Sequence, residues 1–228
     1  MRFFVHYTDS MFKAIGSALF VAMVAHASPS EWRFLYEKEG FRAYERKGPP
    51  LAYKAEGIVN LPLAEVAAVL IDIPRQKEWV HRLVESRILE GNPLSRSVIY
   101  SRYNLPWPAT DRDAVVESVV AEDIKRAEVL VRFQNTTALS APVRRDCIRV
   151  PLSEGVFTLR DTGQDTVMVS YSVSLDPGGW LPDWIVRLFV RDAPVSTLQA
   201  FKAQVLKTRG QYDTFIAAQK ARWASDQR

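Results

Sequence analysis

One cysteine and three histidines are all that this 228-residue chain offers of the side chains that most often carry chemistry. The lone Cys147 closes no intramolecular disulfide, and with no CxxC pair or Cys/His cluster a zinc site is excluded as well. The chain lacks GxGxxG, HExxH and GxSxG, and has no GxxxxGK followed by Ser or Thr. Dinucleotide and phosphate cradles, zinc hydrolysis and the serine-esterase elbow therefore have no signature, and no cofactor is expected. Charge of one sign is scarce too. The 30 basic and 26 acidic residues give a scattered +4, which argues against a nucleic-acid partner. Low-complexity tracts are absent, and a composition 47% hydrophobic and 25% charged excludes disordered and collagen-like classes.

What is present begins with a leader. Residues 14–25 (AIGSALFVAMVA) are uncharged and mostly apolar, Lys13 supplies a positive flank, and Ala25-His26-Ala27 places small residues where signal peptidase cuts. A run this short falls below the roughly 20 residues that cross a bilayer, so a signal peptide cut after Ala27 is expected rather than a membrane span. Met11 begins a better-shaped leader than Met1 and is a candidate for the true start. Losing 27 of 228 residues leaves a mature chain of 201, residues 28–228, with His81 as its only histidine. Arg2, Lys13 and Asp9 also leave, so 28 basic residues face 25 acidic ones. The expected destination is the periplasm or the exterior. No Pro/Gly/Ser-rich linker or repeat divides the mature chain, and a single monomeric α+β domain is the economical expectation.

Hydrophobic periodicity supplies the elements. Residues 32–46 read as a hairpin turning at Glu39-Gly40, and residues 51–60 as a third strand. Pro62 opens a helix whose Val66, Val69, Leu70 and Ile73 share one face, and Pro74 ends it. Val129, Val131 and Phe133 alternate with Leu130, Arg132 and Gln134, as Val167, Val169, Tyr171 and Val173 do with Met168, Ser170 and Ser172, the pattern of an antiparallel sheet. After Asp176-Pro177-Gly178-Gly179 the period turns helical. Pro182 starts a segment with Trp184, Ile185, Leu188 and Phe189 on one face, Pro194 breaks or kinks it, and Leu198, Phe201 and Val205 continue beyond. Gly210 divides off a last helical piece.

Few residues invite a catalytic reading. His81, in the charged stretch KEWVHR, is expected at the surface or as a cap rather than as a base. Cys147 lies beside Arg144, Arg145 and Arg149, a setting that lowers a thiol pKa, although DCIRV also reads as an ordinary strand. Two motifs stand out instead. One is LPWPATDRDAV over residues 105–115, a rigid double-proline turn leading through Asp-Arg-Asp into an apolar strand. There Arg112 is expected to bridge carboxylates and fix the start of the strand. The other is PGGWLP over residues 177–182, a tight turn that launches a helix.

Arg112-Asp113-Ala114-Val115 after a proline turn, followed some 65 residues later by Gly179-Trp180-Leu181-Pro182, resembles the START family of lipid-transfer domains over about residues 31–220. The resemblance implies a helix-grip fold, a curved antiparallel sheet wrapped around a long C-terminal helix with an apolar tunnel between them. It further implies that one hydrophobic ligand, sterol-like or phospholipid, is bound there and carried between membranes through transient contact with a membrane surface. The residues expected to line the tunnel are Tyr103, Trp107, Arg112, Val116, Ser118, Phe133, Tyr171, Trp184, Leu188 and Phe189. The same residues also suit a close-packed core without a tunnel. Residues 138–150 correspond to a loop over the tunnel mouth, so Pro142, Arg144, Arg145 and Pro194 are the expected gating positions.

The chain departs from the sterol-carrying members of that family. Their basic residue six positions after the motif arginine is here Ser118, and the acid expected opposite it falls on Ile99. Sterol specificity is therefore not carried over. An enzyme on the same fold, a cyclase or hydrolase, is the alternative, with Asp113, Glu117 or Tyr103 as the nearby acid-base candidates.

Overall fold

The computed structural model describes residues 32–48, 50–138 and 140–226, so the leader, its cleavage site and the choice between Met1 and Met11 lie outside the described residues. Strands β1 (Arg33–Lys38) and β2 (Phe41–Arg46) form the first hairpin. Glu39 and Gly40 both take positive φ, 51° and 77°, as the tight turn between twisted strands demands. Next come β3 (Ala52–Val59), α1 (Leu63–Ile71), a 3-10 turn over Ile73–Glu78, and β4 (Leu83–Asn92) to β7 (Glu128–Asn135) through β5 (Arg96–Tyr103) and β6 (Asp111–Asp123). The short β8 (Cys147–Arg149), β9 (Leu152–Gly163) and β10 (Thr166–Asp176) complete the strands. The helices α2 (Asp183–Val186), α3 (Ala193–Lys207) and α4 (Asp213–Asp226) follow.

Nine strands run in the antiparallel order β1-β2-β3-β10-β9-β7-β6-β5-β4, forming a curved, open sheet. The small β8 pairs with the start of β6 in parallel, a contact that period-two reasoning does not reveal. Leaving β3, the chain must reach the far edge at β4, and it does so by laying α1 and the 3-10 turn across one face of the sheet. Seven of the nine residues of α1 are buried, so this helix is enclosed rather than amphipathic. Ile73 belongs to the 3-10 turn rather than to α1, because Asp72 leaves helical geometry before Pro74.

Helix α3 lies in the grip of the sheet. Val195, Leu198, Phe201 and Val205, spaced three or four apart, bury against Phe41, Ala55, Phe157 and Val169 from the strands and Val66 from α1. The preceding segment departs from the expected helix. After α2 the bonding widens to a π-helical turn over Arg187–Arg191, and the helix breaks at Asp192, leaving Pro194 in the first turn of α3. In an i→i+5 turn, Val190 rather than Leu188 follows Ile185 on the inner face. Ile185, Phe189 and Val190 are therefore buried, while Trp184 is 46% exposed and Leu188 sits on the outer side beside Tyr36 and Arg191.

Candidate functional site: an uncharged chamber under the gripped helix

Along β5, β6, β7, β9 and β10, every second side chain faces the helices. Ser101 and Tyr103 of β5, Ala114, Val116 and Ser118 of β6, Val131 and Phe133 of β7, Phe157 of β9, and Tyr171 of β10 surround an interior space together with Leu70, Gln76, Trp79 and Val80. This space is about 70 Å³. A second space of about 60 Å³ adjoins it toward the start of α3, sharing Val80, Tyr103, Phe133 and Tyr171 and adding His81, Val173, Leu175, Phe189 and Thr197. The two adjoin along these shared side chains and together make up the chamber. Its aromatic wall is tightly organised: Phe157 and Tyr171, paired across β9 and β10, stack with centroids 4.1 Å apart and ring planes 7° apart. Trp79 lies at 4.7 Å from Phe201 of α3 and edge-on to Phe157 at 6.0 Å. Gly155 makes room for Phe133, since a Cβ there would meet the Phe133 ring at 2.5 Å.

Of the residues expected to line a tunnel, Tyr103, Val116, Ser118, Phe133, Tyr171 and Phe189 border the chamber. Trp107, Arg112, Trp184 and Leu188 do not. Trp107 is 89% exposed at the tip of the β5–β6 loop, where it precedes a cis peptide to Pro108. Ser118 faces Ser97 across β5, and Ile99 faces Val116, so the register differs by two residues from an ungapped count and still holds no ion pair. Burial pushes the Tyr103 and Tyr171 hydroxyls up, keeping both as neutral phenols.

The Asp-Arg-Asp motif proves to be a fastening rather than a lining. Arg112 does not bridge carboxylates. Its Nε donates to the carbonyl of Pro177 at 2.8 Å, its Nη2 to that of Gly178 at 2.7 Å, and its Nη1 to that of Thr110. Burial pulls its guanidinium pKa down, yet every one of these partners is a neutral carbonyl. Asp111 accepts from Arg102 at 3.0 Å and from the Leu105 N–H at 3.1 Å, shaping the β5–β6 loop. Asp113, 2% exposed, takes a bidentate pair from Arg149 at 2.7 and 3.0 Å. Three consecutive residues thus hold three different loops together at one end of the sheet.

That arrangement changes the catalytic candidates. Asp113 is consumed by Arg149, and Glu117 pairs with Arg96 on the opposite face, so neither carboxylate reaches the chamber. Arg149, pinned to Asp113 and to the Pro142 carbonyl, anchors the 138–150 loop. Arg144 pairs with Asp146 at 2.6 Å, leaving Arg145 exposed. Cys147 is half-buried in β8 and burial pushes its thiol pKa up, which overturns the activated-thiol reading.

His81 is the larger correction. The residue expected at the surface or as a cap borders the chamber, its backbone N–H donating to Thr197 Oγ1 of α3 at 3.2 Å. Burial and the nearby Arg82 hold its imidazole pKa below the ordinary value. Trp79, also in the charged KEWVHR stretch, is 2% exposed at the other end of the same wall. Only the two apolar residues interleaved with the charges, Trp79 and Val80, hinted that this stretch turns inward.

The START domain profile matches residues 20–208. An uncharacterized protein of Pseudomonas aeruginosa is 27% identical over 196 residues, covering 85% of this chain and 95% of its own length. The phosphatidylcholine transfer protein of Rattus norvegicus is 22% identical over 200 residues, covering 85% and 91%. Human START domain-containing protein 10 is 23% identical over 127 residues, and the chain spans only 43% of its length. Among solved structures, a fragment of the STAR-related lipid transfer protein of Xanthomonas axonopodis superposes with a TM-score of 0.67 at 25% identity, covering 76% of this chain and 98% of that one. With the helix gripped by an open antiparallel sheet and a profile match spanning most of its length, the chain belongs to the START domain family.

Proposed function

We propose that this protein takes up one lipid molecule in the chamber under α3 and carries it between membranes, outside the cytoplasm, after its leader is removed. The observation that carries this reading is the chamber itself: an aromatic-lined, uncharged space inside a core that would otherwise be close-packed. Relatives named for phosphatidylcholine transfer support it. Each half of the chamber is smaller than the roughly 150 Å³ apolar cavity that admits benzene, so a lipid enters only when the walls part. The movable wall is the segment carrying Phe189 and Ala193, in which the π turn Arg187–Arg191 ends at the break before Pro194. Short π turns of this kind recur at functional sites.

The loops fastened by Asp111, Arg112 and Asp113 give that end of the molecule a membrane-facing character. Trp107 and Trp180 are 89% and 79% exposed, and Val143 on the adjoining loop is 96% exposed. Trp184 adds a half-exposed indole at the start of α2. Exposed indoles of this kind settle at the headgroup boundary, where an apolar ring with a polar edge is at home. Arg145 on the same loop faces anionic headgroups, and Pro142 and Arg144 shape the loop that lifts with it.

The test is direct. Protein purified from cell envelope and extracted with organic solvent should yield one lipid per chain by mass spectrometry, and the protein should speed exchange of a fluorescent lipid between donor and acceptor vesicles. A preparation that holds no lipid and leaves exchange at the protein-free rate would rule the carrier reading out. Turnover of a lipid ester by the same preparation would favour an enzyme.

A further inference from the structure

The chamber has a chemical signature beyond being apolar. Among the described residues that border it there is no Asp, Glu, Lys or Arg. A phosphate or ammonium group drawn inside would find no counter-charge, and an unpaired ion in such surroundings is expelled. The chamber nevertheless holds polar groups without partners. The Trp79 indole Nε1 and the His81 Nε2 are both buried and make no hydrogen bond among the described residues, although almost all buried donors and acceptors in folded proteins are paired. Gln76, which also borders the space, donates its amide to the Leu70 carbonyl at 3.1 Å and bonds neither of them.

We propose that the ligand is an uncharged lipid bearing a hydroxyl or ester oxygen, held by the Trp79 indole N–H and the His81 imidazole, and that zwitterionic and anionic phospholipids are excluded from the chamber. The inference rests on the carrier reading above and narrows its ligand. An indole N–H only donates, so the lipid must offer an acceptor oxygen there. An imidazole Nε2 donates in one tautomer and accepts in the other, and a hydroxyl satisfies either. His81 remains neutral in its buried setting, so it presents no charge to attract a phosphate. The two groups lie two residues apart in sequence, Trp79 bordering one half of the chamber and His81 the other, with Val80 between them bordering both. Ser101, Ser118 and Ser153 add neutral hydroxyls to the same space.

The experiment incubates the purified protein with vesicles of equal parts phosphatidylcholine, phosphatidylglycerol and dioleoylglycerol, separates it from them, and reads the bound lipid by native mass spectrometry. Dioleoylglycerol is expected on the protein in at least about tenfold excess over either phospholipid, because burying their unpaired charges costs more than that preference requires. Trp79→Phe keeps an aromatic ring but removes the N–H, and should retain about fivefold less dioleoylglycerol, the effect of one neutral hydrogen bond. Because that variant alters a packed residue, the wild-type indole N–H resonance of Trp79 provides an independent reading and should move downfield on loading. Retention of phosphatidylcholine or phosphatidylglycerol in place of dioleoylglycerol overturns the uncharged-ligand inference and leaves lipid carriage standing. If no lipid is retained, both fall. Bound dioleoylglycerol with an unmoved Trp79 resonance removes the indole from the site, with a buried water as its partner instead.

Discussion

Arg112 at the start of β6 and Pro177 after β10 are 65 residues apart in sequence, yet the guanidinium of the first donates to the carbonyl of the second at 2.8 Å. The arginine is 1% exposed and, among the described residues, bonds only to main-chain oxygens. The fork of a guanidinium suits this task because its fixed donors reach several carbonyls at once. The turn that launches the helical end of the chain is therefore tied to the loop that carries Trp107. Any movement that opens the chamber at this end has to work around that tie.

Arg112→Ala strips donors from the carbonyls of Thr110, Pro177 and Gly178 in a buried setting. A loss of about 3 kcal/mol of stability is expected, from at least one carbonyl left unpaired and a cavity where the side chain lay. Arg112→Lys should recover only part of it, since an ammonium cannot reproduce the fork. Urea unfolding measures both. An alanine variant within about 0.5 kcal/mol of wild type would show that the tie is incidental.

Gly155→Ala tests the wall of the chamber. The added methyl meets the Phe133 ring and, closer still, the carbonyl of Ser172 on β10, which cannot rotate away. Overpacking of this sort costs about 1–3 kcal/mol, and displacement of Phe133 should also weaken lipid retention. Thermal unfolding together with lipid extraction checks the two effects, and an unchanged melting temperature would refute the argument.

Trp107→Ala combined with Trp180→Ala removes the two most exposed indoles. Stability should stay within about 0.5 kcal/mol, because neither side chain is packed. Affinity for anionic vesicles should fall about tenfold or more as two indoles leave the interface, and lipid exchange should slow with it. Vesicle co-sedimentation and the exchange assay decide this. Undiminished vesicle binding would place the membrane-facing surface elsewhere.

Glu78 gives the protein an acid-sensitive joint. Arg75 at 2.8 Å and Gln204 of α3 at 2.7 Å hold its carboxylate, lowering the pKa from 4.5 to about 2. A depressed carboxylate stabilises the fold fully above its unfolded value. As the pH falls below 4.5 the unfolded chain takes up the proton first and the contribution shrinks, vanishing near pH 2. Urea midpoints measured from pH 7 down to 3 should therefore drop more steeply for wild type than for Glu78→Gln. Parallel curves would show that Glu78 contributes nothing to the joint between the 3-10 turn and α3.

Local chemistry determined a good part of this molecule without reference to its fold. The Glu39-Gly40 hairpin, the strand alternation through Val129 and Val167, and the break before Pro194 follow from turn residues, period and the missing proline N–H. These are interactions within a few residues of one another, and the two motifs around Arg112 and Gly179 added the family to them. The tertiary structure decided where the remaining side chains went. One π-helical turn put Val190 rather than Leu188 on the inner face, and Trp184 at the start of α2 stayed half-exposed. The KEWVHR stretch, whose charges read as surface, turned Trp79 and His81 inward because the chain crosses the sheet there on its way to β4. Arg112 passed from an expected ligand contact to a main-chain tie because its partners lie on a turn 65 residues away. The scarcity of reactive groups was plain from the residues alone. That one of the few, the single histidine of the expected mature chain, borders an uncharged chamber depended on contacts far apart in sequence, and only folding brings those together.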